Sequence, residues 1–273
     1  MQSLIKKIKQ KKELSGITDK IVSELLLDYL KKYSISLKNI SPKQTKIIIK
    51  EIRSQLRTIS GQFQKGAKNR EKLLETDSIQ QLLKTHSSTA ERLEFYPELK
   101  SIIKRLKVTS ILDIGCGLNP IALANSGLTY YASDIKEDEL SLIKRFFKKN
   151  KIKGKLFVQD LTKSSLNFPK TDICLILKVL DTIDPNHVLT ETLLKKVHSK
   201  YFIISFSTKK LSGKPMNFPR RRWFEKLLVK LNFHYKTFQS QNEIFYLITK
   251  QTPKTTSPRL KLEKKISSRQ KNA

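Results

Sequence analysis

The sequence has few cysteines and no long apolar run. Its two cysteines, Cys116 and Cys174, are too few for a disulfide framework or a zinc cluster, so we expect both to be reduced and structural. No run approaches the roughly 20 apolar residues of a membrane-spanning helix, and the N-terminus lacks the apolar core of a signal peptide. We therefore expect a cytoplasmic protein that neither enters a membrane nor binds a metal.

Acidic residues are also scarce, and positive charge dominates the chain. The sequence has 55 Lys and Arg against 24 Asp and Glu, which gives a net charge of +31 spread along its length. This balance favours a polyanionic partner, although a membrane surface also attracts such charge. The 273 residues suffice for one substantial α/β domain and a smaller appendage. We expect a monomer.

The first 75 residues have apolar positions at helical spacing, with Lys and Arg between them. They predict a small basic helical domain over residues 1–75, whose surface either contacts RNA or is simply a solvated charged face. The predicted breaks are Ser15-Gly16, where Thr18 or Asp19 caps a helix, Ser41-Pro42, and Gly61 to Gly66.

After Thr76 the pattern changes to short β-branched runs separated by helical stretches, which is typical of a parallel sheet built from βαβ units. The predicted strands are residues 110–114, 129–135, 155–161, 172–180 and 201–207, followed by a closing hairpin of 233–239 and 243–249. This is the strand inventory of a seven-stranded methyltransferase sheet over residues 76–250. Residues 251–273 have seven basic residues and one acid, which predicts a disordered basic tail.

A glycine-containing loop follows the first predicted strand, in the stretch Asp113-Ile114-Gly115-Cys116-Gly117-Leu118-Asn119-Pro120. Gly115 and Gly117 let the backbone turn sharply and approach a ligand closely. A dinucleotide-binding loop has a third glycine three residues later, which helps to seat a pyrophosphate on the helix N-terminus. Because Pro120 stands there, the loop favours a ligand without a pyrophosphate, such as S-adenosylmethionine, with Asp113 near its amino group. An ordinary tight turn is the alternative.

Acidic residues end the next two predicted strands, at the edge where ligands bind in this class of sheet. Asp134 can accept hydrogen bonds from both ribose hydroxyls. Asp160 can accept from the adenine amino group, with Leu161 beside the ring. A single Asp after a strand is often a helix cap, but acids on successive strand ends favour a nucleoside site.

Four segments resemble the aminoglycoside-resistance 16S rRNA methyltransferases in their order and spacing. They are residues 82–92 (LLKTHSSTAER), 110–123, 175–180 (LILKVL) and 204–214 (ISFSTKKLSGK). The basic helical N-terminal region is also similar, so the resemblance covers roughly residues 1 to 250. It implies an α/β fold with a Rossmann-like, seven-stranded S-adenosylmethionine-dependent methyltransferase sheet and an N-terminal helical domain.

The resemblance implies methylation of N7 of a guanosine in the decoding region of the small ribosomal subunit, with the helical domain docked on 16S rRNA. It implies that Arg92 pairs with the methionine carboxylate, a role suited to a bidentate guanidinium. Lys178 ends the fourth predicted strand, where the methyl acceptor lies in this fold. We expect Lys178 to orient the flipped base. A lysine that ends an apolar strand either reaches a cleft or pairs with an acid, and Asp160 is the candidate partner. Antibiotic resistance and routine rRNA maturation both stay open.

The segment after the fifth predicted strand is expected to form a loop over the active site. It is shorter than in the family, and it has three arginines where an acidic stretch is expected. The candidate RNA-phosphate contacts are Lys209, Lys210, Lys214, Arg220, Arg221 and Arg222. Phe218 and Trp223 either stack on a base or anchor the next helix, and for Trp223 we favour core packing.

Other readings of the same residues stay open. The chain can be a non-catalytic RNA-binding or ribosome-assembly protein on a methyltransferase fold, or a methyltransferase of another RNA position. A methyltransferase of proteins or small molecules has no evident use for a net charge of +31. The motif Asn/Asp-Pro-Pro-aromatic, typical of exocyclic amine methylation, is absent from the sequence.

Overall fold

A computed structural model of the chain describes residues 1–37, 40–60, 69–163, 166–184, 186–209 and 214–250. The predictions made for Gly61 to Gly66, for Lys210 and for the basic tail lie outside these residues. Within them, no helix is both long and apolar enough to span a membrane.

The N-terminal part is helical, as its periodicity predicts. It has three helices, α1 (Gln2–Lys9), α2 (Asp19–Lys32) and α3 (Pro42–Ser60). Thr18 caps α2 by accepting a hydrogen bond from the Ile21 amide, and Ser41 caps α3 in a reciprocal exchange with Gln44. The apolar faces of the three helices pack into one core, which also takes in Ile135 from the sheet domain.

Four short helices lead from this part to the sheet. They are α4 (Arg70–Glu75), α5 (Ile79–Lys84), α6 (Ser87–Glu91) and α7 (Tyr96–Arg105). Leu74 of α4 lies in the core of the sheet domain, although it precedes the boundary expected at residue 75. The boundary itself stays a prediction.

The remainder is a seven-stranded sheet with helices on both faces. Its strands are β1 (Ser110–Ile114), β2 (Thr129–Asp134), β3 (Lys153–Val158), β4 (Thr171–Leu177), β5 (Ser199–Ser207), β6 (Phe233–Gln239) and β7 (Glu243–Lys250). Its helices are α8 (Asn119–Leu123), α9 (Glu137–Lys149), α10 (Leu180–Ile183), α11 (Val188–Lys196) and α12 (Arg222–Lys230).

The strand order is β3-β2-β1-β4-β5-β7-β6. The first five strands are parallel, and β7 runs antiparallel between β5 and β6. Strands β1 and β4 are almost wholly buried because helices cover both of their faces. The chain adds β2 and β3 on one side of β1 and then crosses to add β4 and β5 on the other side, so a switch point lies between β1 and β4. Ligands bind at the carboxyl edge of such a switch point. The predicted sheet and its closing hairpin are confirmed.

Strand β2 ends one residue earlier than the sequence predicts, and two strands end three residues earlier. Strand β3 stops at Val158 rather than residue 161, because the Asp160 carboxylate accepts hydrogen bonds from the Thr162 amide and hydroxyl and closes a turn. Strand β4 stops at Leu177 rather than residue 180, because Lys178 adopts a left-handed conformation with φ of 58°. Both turns bring polar side chains to the carboxyl edge of the sheet.

The helical N-terminal part packs directly against this edge. The Glu137 amide donates to the Gly16 carbonyl at 2.9 Å. A Cβ at residue 16 would come within 2.1 Å of the Asp138 carboxylate, so a side chain there would have to displace that carboxylate. Lys163 also pairs with Asp28 of α2 at 2.9 Å. The helices are therefore fixed beside the end of β2.

Candidate functional site

A cavity of about 770 Å³, partly open to solvent, lies at the carboxyl edge of β1 to β4. The C-terminal end of α3 closes one side, which brings the helical part to the cavity. The wall is formed by Ile59, Ser60, His86, Ser88, Gly115, Cys116, Gly117, Asn119, Asp134, Ile135, Lys136, Glu139, Gln159, Asp160, Leu161, Thr162, Leu177, Lys178, Val179, Thr182 and Ile183.

The two glycines of the loop after β1 are required by the geometry. Gly115 has φ of 64°, and a Cβ there would lie 2.6 Å from the Val179 side chain. Gly117 has φ of 48°, and a Cβ there would lie 2.9 Å from the His86 ring. Both positions disfavour a side chain on conformational and steric grounds. The loop therefore keeps bare backbone at the cavity wall.

Asp134 ends β2 and lies on the cavity wall, as predicted. Its carboxylate accepts hydrogen bonds from the amides of Gly117 at 2.9 Å and Lys136 at 3.0 Å. Burial raises the pKa of Asp134 to about 6, and the nearby Glu139 charge acts in the same direction. The two hydrogen bonds fix the orientation of the carboxylate. Because its pKa is about 6, a fraction of it is protonated close to neutral pH.

Asp160 and Leu161 also reach the cavity, although they follow β3 rather than end it. The Oδ1 atom of Asp160 is used by Thr162, whereas Oδ2 is buried and has no hydrogen-bond partner among the described residues. A buried carboxylate oxygen without a donor is costly, so this atom is available to accept a hydrogen bond from a ligand. An exocyclic amine beside Leu161 would supply one.

Lys178 lies in the cavity wall as predicted, but its partner is different. Its ammonium pairs with Glu91 of α6 at 2.5 Å, and the expected pairing with Asp160 is wrong. The strand order explains the difference, because β1 and β2 separate the ends of β4 and β3. The Lys178 amide donates to the carbonyl and hydroxyl oxygens of Ser205, which holds its strained backbone in place.

Two residues expected to touch the ligand do not line the cavity. Arg92 is fully buried and donates to Glu243, Asn119 and Ser88, so its guanidinium is already occupied. Asp113 is also fully buried, and it accepts a hydrogen bond from the Tyr130 hydroxyl at 2.8 Å. Burial raises the pKa of Asp113 to about 7. The contacts of Arg92 and Asp113 that the sequence predicts with the methionine moiety therefore stay predictions.

A buried polar cluster in the cavity wall was missed by the sequence analysis. Glu139 of α9 pairs with Arg70 at 3.3 Å, and the His86 Nε2 atom lies 3.9 Å from the same carboxylate. Burial lowers the pKa of His86 to about 4, so the imidazole is neutral near pH 7. Lys136 completes the cluster. His86 lies within residues 82–92, one of the segments that resemble the family, and this position was the only signal in the sequence that could have pointed to the cluster.

The described part of the loop after β5 lies beside α10. Arg221 pairs with Asp181 at 2.6 Å, and Arg220 pairs with Glu225 at 2.7 Å. Of the described residues between 207 and 223, none lines the cavity. Trp223 stacks on the His187 ring at 3.7 Å and packs against the core, so the packing role favoured for it is confirmed.

The sheet order, the glycine loop and the acids at neighbouring strand ends define the class of the protein. It has the Rossmann-like fold of the S-adenosylmethionine-dependent methyltransferases. Residues 52–243 match the family model described as ribosomal RNA methyltransferase (FmrO), and the chain belongs to that family.

Individual relatives agree with this assignment. A 16S rRNA (guanine(1405)-N(7))-methyltransferase of Frankia casuarinae is 26% identical over 182 residues, which cover 63% of this chain and 63% of the relative. The chain thus spans less than two thirds of that relative's length. The protein of the same name from Serratia marcescens is 29% identical over 68% of this chain and 75% of its own.

Solved structures show the same fold. The 16S rRNA methyltransferase RmtF, in complex with S-adenosyl-L-homocysteine, superposes with a TM-score of 0.76 at 22% identity over 92% of this chain and 98% of its own. The 16S rRNA methylase ArmA gives a TM-score of 0.54 at 30% identity over 67% of this chain and 99% of its own.

Proposed function

We propose that this chain transfers the methyl group of S-adenosyl-L-methionine to N7 of a guanosine in the decoding region of small-subunit 16S rRNA. The observation that carries the proposal is the cavity, in a chain that belongs to a family of ribosomal RNA methyltransferases. Relatives named for guanine N7 methylation support the choice of atom.

The residues present fit this cofactor. Along the carboxyl edge, the strand order places Asp160 after β3, Asp134 after β2 and the glycine loop after β1. The unpartnered Oδ2 atom of Asp160 is an acceptor for the adenine amine, with Leu161 beside the ring. The Asp134 carboxylate is an acceptor for the ribose hydroxyls. The backbone of the glycine loop would hold the methionine moiety, on the side of the cavity that Lys178 lines.

The reaction requires little from side chains. The cofactor supplies a methyl group on a sulfonium, and guanine N7 offers a lone pair without a proton, so no general base is needed. Transfer would form a bond between N7 and the methyl carbon as the carbon–sulfur bond breaks, and the positive charge would pass from sulfur to the guanine. Lys178, held by Glu91, is placed to orient the acceptor base. Asp160 assists by fixing the adenine.

The helical N-terminal part supplies the proposed docking surface for rRNA. A groove between α1 and α3 is lined by six basic side chains, namely Lys7, Lys11, Lys46, Lys50, Arg53 and Arg57. Arg53 is bound to the carbonyls of Lys7 and Ile8, and Arg57 is paired with Glu13. The four lysines are therefore the groove's candidates for phosphate contacts.

The loop after β5 offers further candidate contacts. Arg222 and Lys214 are exposed, and the Arg222 guanidinium lies 5.9 Å from the centre of the Phe218 ring, which is itself 77% exposed. Arg220 and Arg221 have intramolecular acid partners, so they would contact RNA only by sharing or leaving those partners. Lys209 is half-buried. We propose Lys214 and Arg222 as the stronger contacts of this set.

Methyl transfer to purified 30S subunits tests the proposal. Labelled methyl should enter 30S subunits but not 50S subunits, and the apparent affinity should fall steeply as salt rises. The double variant Lys46→Glu/Lys50→Glu should lose affinity for 30S subunits while it still binds S-adenosylhomocysteine. Lys100→Glu, which changes an exposed lysine on α7, is the matched control. Equal labelling of both subunits would contradict the proposed substrate.

We also propose that the modification confers aminoglycoside resistance. Methylation at N7 places a positive charge on the base, and a cationic aminoglycoside that binds the decoding region would be repelled. A susceptible bacterium that expresses the chain should grow at higher aminoglycoside concentrations than one expressing Asp134→Ala. Equal inhibition of both strains, with methylation demonstrated, would assign the chain to rRNA maturation instead.

A further inference from the structure

Lys136 is a cation whose backbone is fixed at the edge of the cofactor cavity. Its amide donates to Asp134 at 3.0 Å, and its carbonyl accepts from the Leu140 amide at 3.2 Å in the first turn of α9. On its other side the backbone forms a β-bridge with Ile17 of the helical part. These contacts hold the side chain of Lys136 in the cavity wall.

The ammonium of Lys136 is buried without an acceptor. The residue is only 2% exposed, and its Nζ atom has no hydrogen-bond partner among the described residues. The charge of Lys136 interacts with the nearby Asp134 carboxylate, but an ammonium has three donors, and burying donors without acceptors is costly. The neighbouring acids have other partners, since Asp134 accepts from two backbone amides and Glu139 pairs with Arg70.

The position of Lys136 indicates which part of a ligand it meets. The cofactor would lie along the carboxyl edge, with its adenine near Asp160 after β3 and its methionine toward Lys178 after β4. Lys136 is two residues beyond Asp134, at the end of β2, which lies between those two ends. The acceptor atoms expected there are the ribose hydroxyl oxygens.

We propose that Lys136 is a cofactor-binding residue whose ammonium donates to the ribose hydroxyl oxygens while the Asp134 carboxylate accepts from the same hydroxyls. A hydroxyl both donates and accepts, so an acid and a cation together satisfy a vicinal diol. This inference rests on the proposed function, because it takes the cofactor to be S-adenosylmethionine. It adds a specific residue that makes the site selective for a ribose.

Calorimetric binding of two ligands tests the proposal. S-adenosylhomocysteine has adenine, ribose and a methionine-derived carboxylate, whereas 5′-methylthioadenosine keeps the nucleoside and lacks the amino acid. Lys136→Met removes the charge and keeps the length of the side chain. It should weaken both ligands by about tenfold or more, as expected for a lost hydrogen bond to a charged group. Lys144→Met, an exposed lysine on the same helix, is the matched control and should leave both affinities unchanged.

A third ligand, the 2′,3′-dideoxy analogue of 5′-methylthioadenosine, separates the ribose contact from others. Wild type and Lys136→Met should bind it with equal affinity. A loss confined to S-adenosylhomocysteine would assign Lys136 to the carboxylate and overturn the proposal, as would unchanged binding of all three ligands. Thermal unfolding without ligand shows whether the variant is folded, and Lys136→Gln provides a second, uncharged variant that keeps a donor. If the wild-type protein binds these ligands but methylates no RNA, the proposed function is refuted, whereas the proposed role of Lys136 in cofactor binding is not.

Discussion

Glu243 binds the guanidinium of Arg92 through both carboxylate oxygens, at 2.6 Å and 3.0 Å, in the interior of the protein. The Glu243 carboxylate also accepts a hydrogen bond from the Ser205 hydroxyl. The oxygen of that hydroxyl accepts a hydrogen bond from the Lys178 amide at 3.1 Å. A buried ion pair thus supports the strained backbone at Lys178. Arg92 has a structural role in this ion pair, and the contact with the cofactor that the family resemblance implies stays a prediction.

Removal of Arg92 should destabilise the protein severely. Arg92→Met leaves the Glu243 carboxylate buried without its cation, at a cost of about 3–5 kcal/mol in the free energy of unfolding. Urea denaturation measures this loss. The double variant Arg92→Met/Glu243→Leu should recover much of it, because the orphaned charge is removed as well.

Arg105→Met is the control for this prediction. Its pair with Glu98 is exposed, with side-chain exposures of 67% and 54%, so the loss should stay below about 1 kcal/mol. A folded Arg92→Met of unchanged stability that binds S-adenosylhomocysteine poorly would show that Arg92 holds the methionine carboxylate after all.

Glu91 should affect catalysis through Lys178. Glu91→Gln weakens the hold on the Lys178 ammonium, so the kcat for methyl transfer should fall by about tenfold, a modest loss of alignment. Binding of S-adenosylhomocysteine should be unchanged, because Glu91 does not line the cavity. Glu94→Gln, an exposed neighbour, serves as the control. An unchanged kcat in Glu91→Gln would show that the ion pair between Lys178 and Glu91 does not contribute to catalysis.

Asp160 should determine the choice of nucleobase. Its unpartnered oxygen accepts from an adenine amine, whereas the carbonyl of hypoxanthine would face it with a second acceptor. Asp160→Asn can instead present a donor at this position. Wild type should therefore prefer S-adenosylhomocysteine to S-inosylhomocysteine by about tenfold or more, and Asp160→Asn should lose or reverse that preference. If Asp160→Asn keeps the preference for S-adenosylhomocysteine, the nucleobase of the cofactor does not bind beside Asp160.

Cofactor affinity should depend on pH through Asp134. Its pKa is raised to about 6 in the free protein, and ribose hydroxyls donate to the charged form, so binding favours ionisation. The affinity for S-adenosylhomocysteine should be constant above pH 7 and fall as pH drops below about 6. Asp134→Asn should bind more weakly and show a flatter profile between pH 5 and 7. An equally steep profile in that variant would assign the titration to another group, such as Asp113.

The sequence predicted the sheet well because its strands alternate with helices and have strong apolar character, as in Ile111 to Ile114. Asp134 and the glycine loop were found because they lie next to a strand end, which is a local signal. Asp160 and Lys178 were placed in the site correctly, but the turns that follow Val158 and Leu177 were not anticipated.

The contacts that were missed join residues far apart in the chain. Arg92 and Glu243 are 151 positions apart, and Lys178 and Glu91 are 87 apart. No local pattern pairs them, because the pairing depends on how α6 packs against the ends of β4 and β7. Lys136 carried no motif, and only its burial without an acceptor identifies it.

The central claim is tested most directly by locating the methyl group on the RNA. Isolated 30S subunits are incubated with S-adenosylmethionine and with wild type, Asp134→Ala or Lys178→Ala, and the 16S rRNA is then cleaved with borohydride and aniline at N7-methylguanosine. We expect one new cleavage in the decoding region with wild type and none with either variant. Absence of cleavage and of methyl transfer, in a wild-type protein that binds S-adenosylhomocysteine, would contradict the proposal.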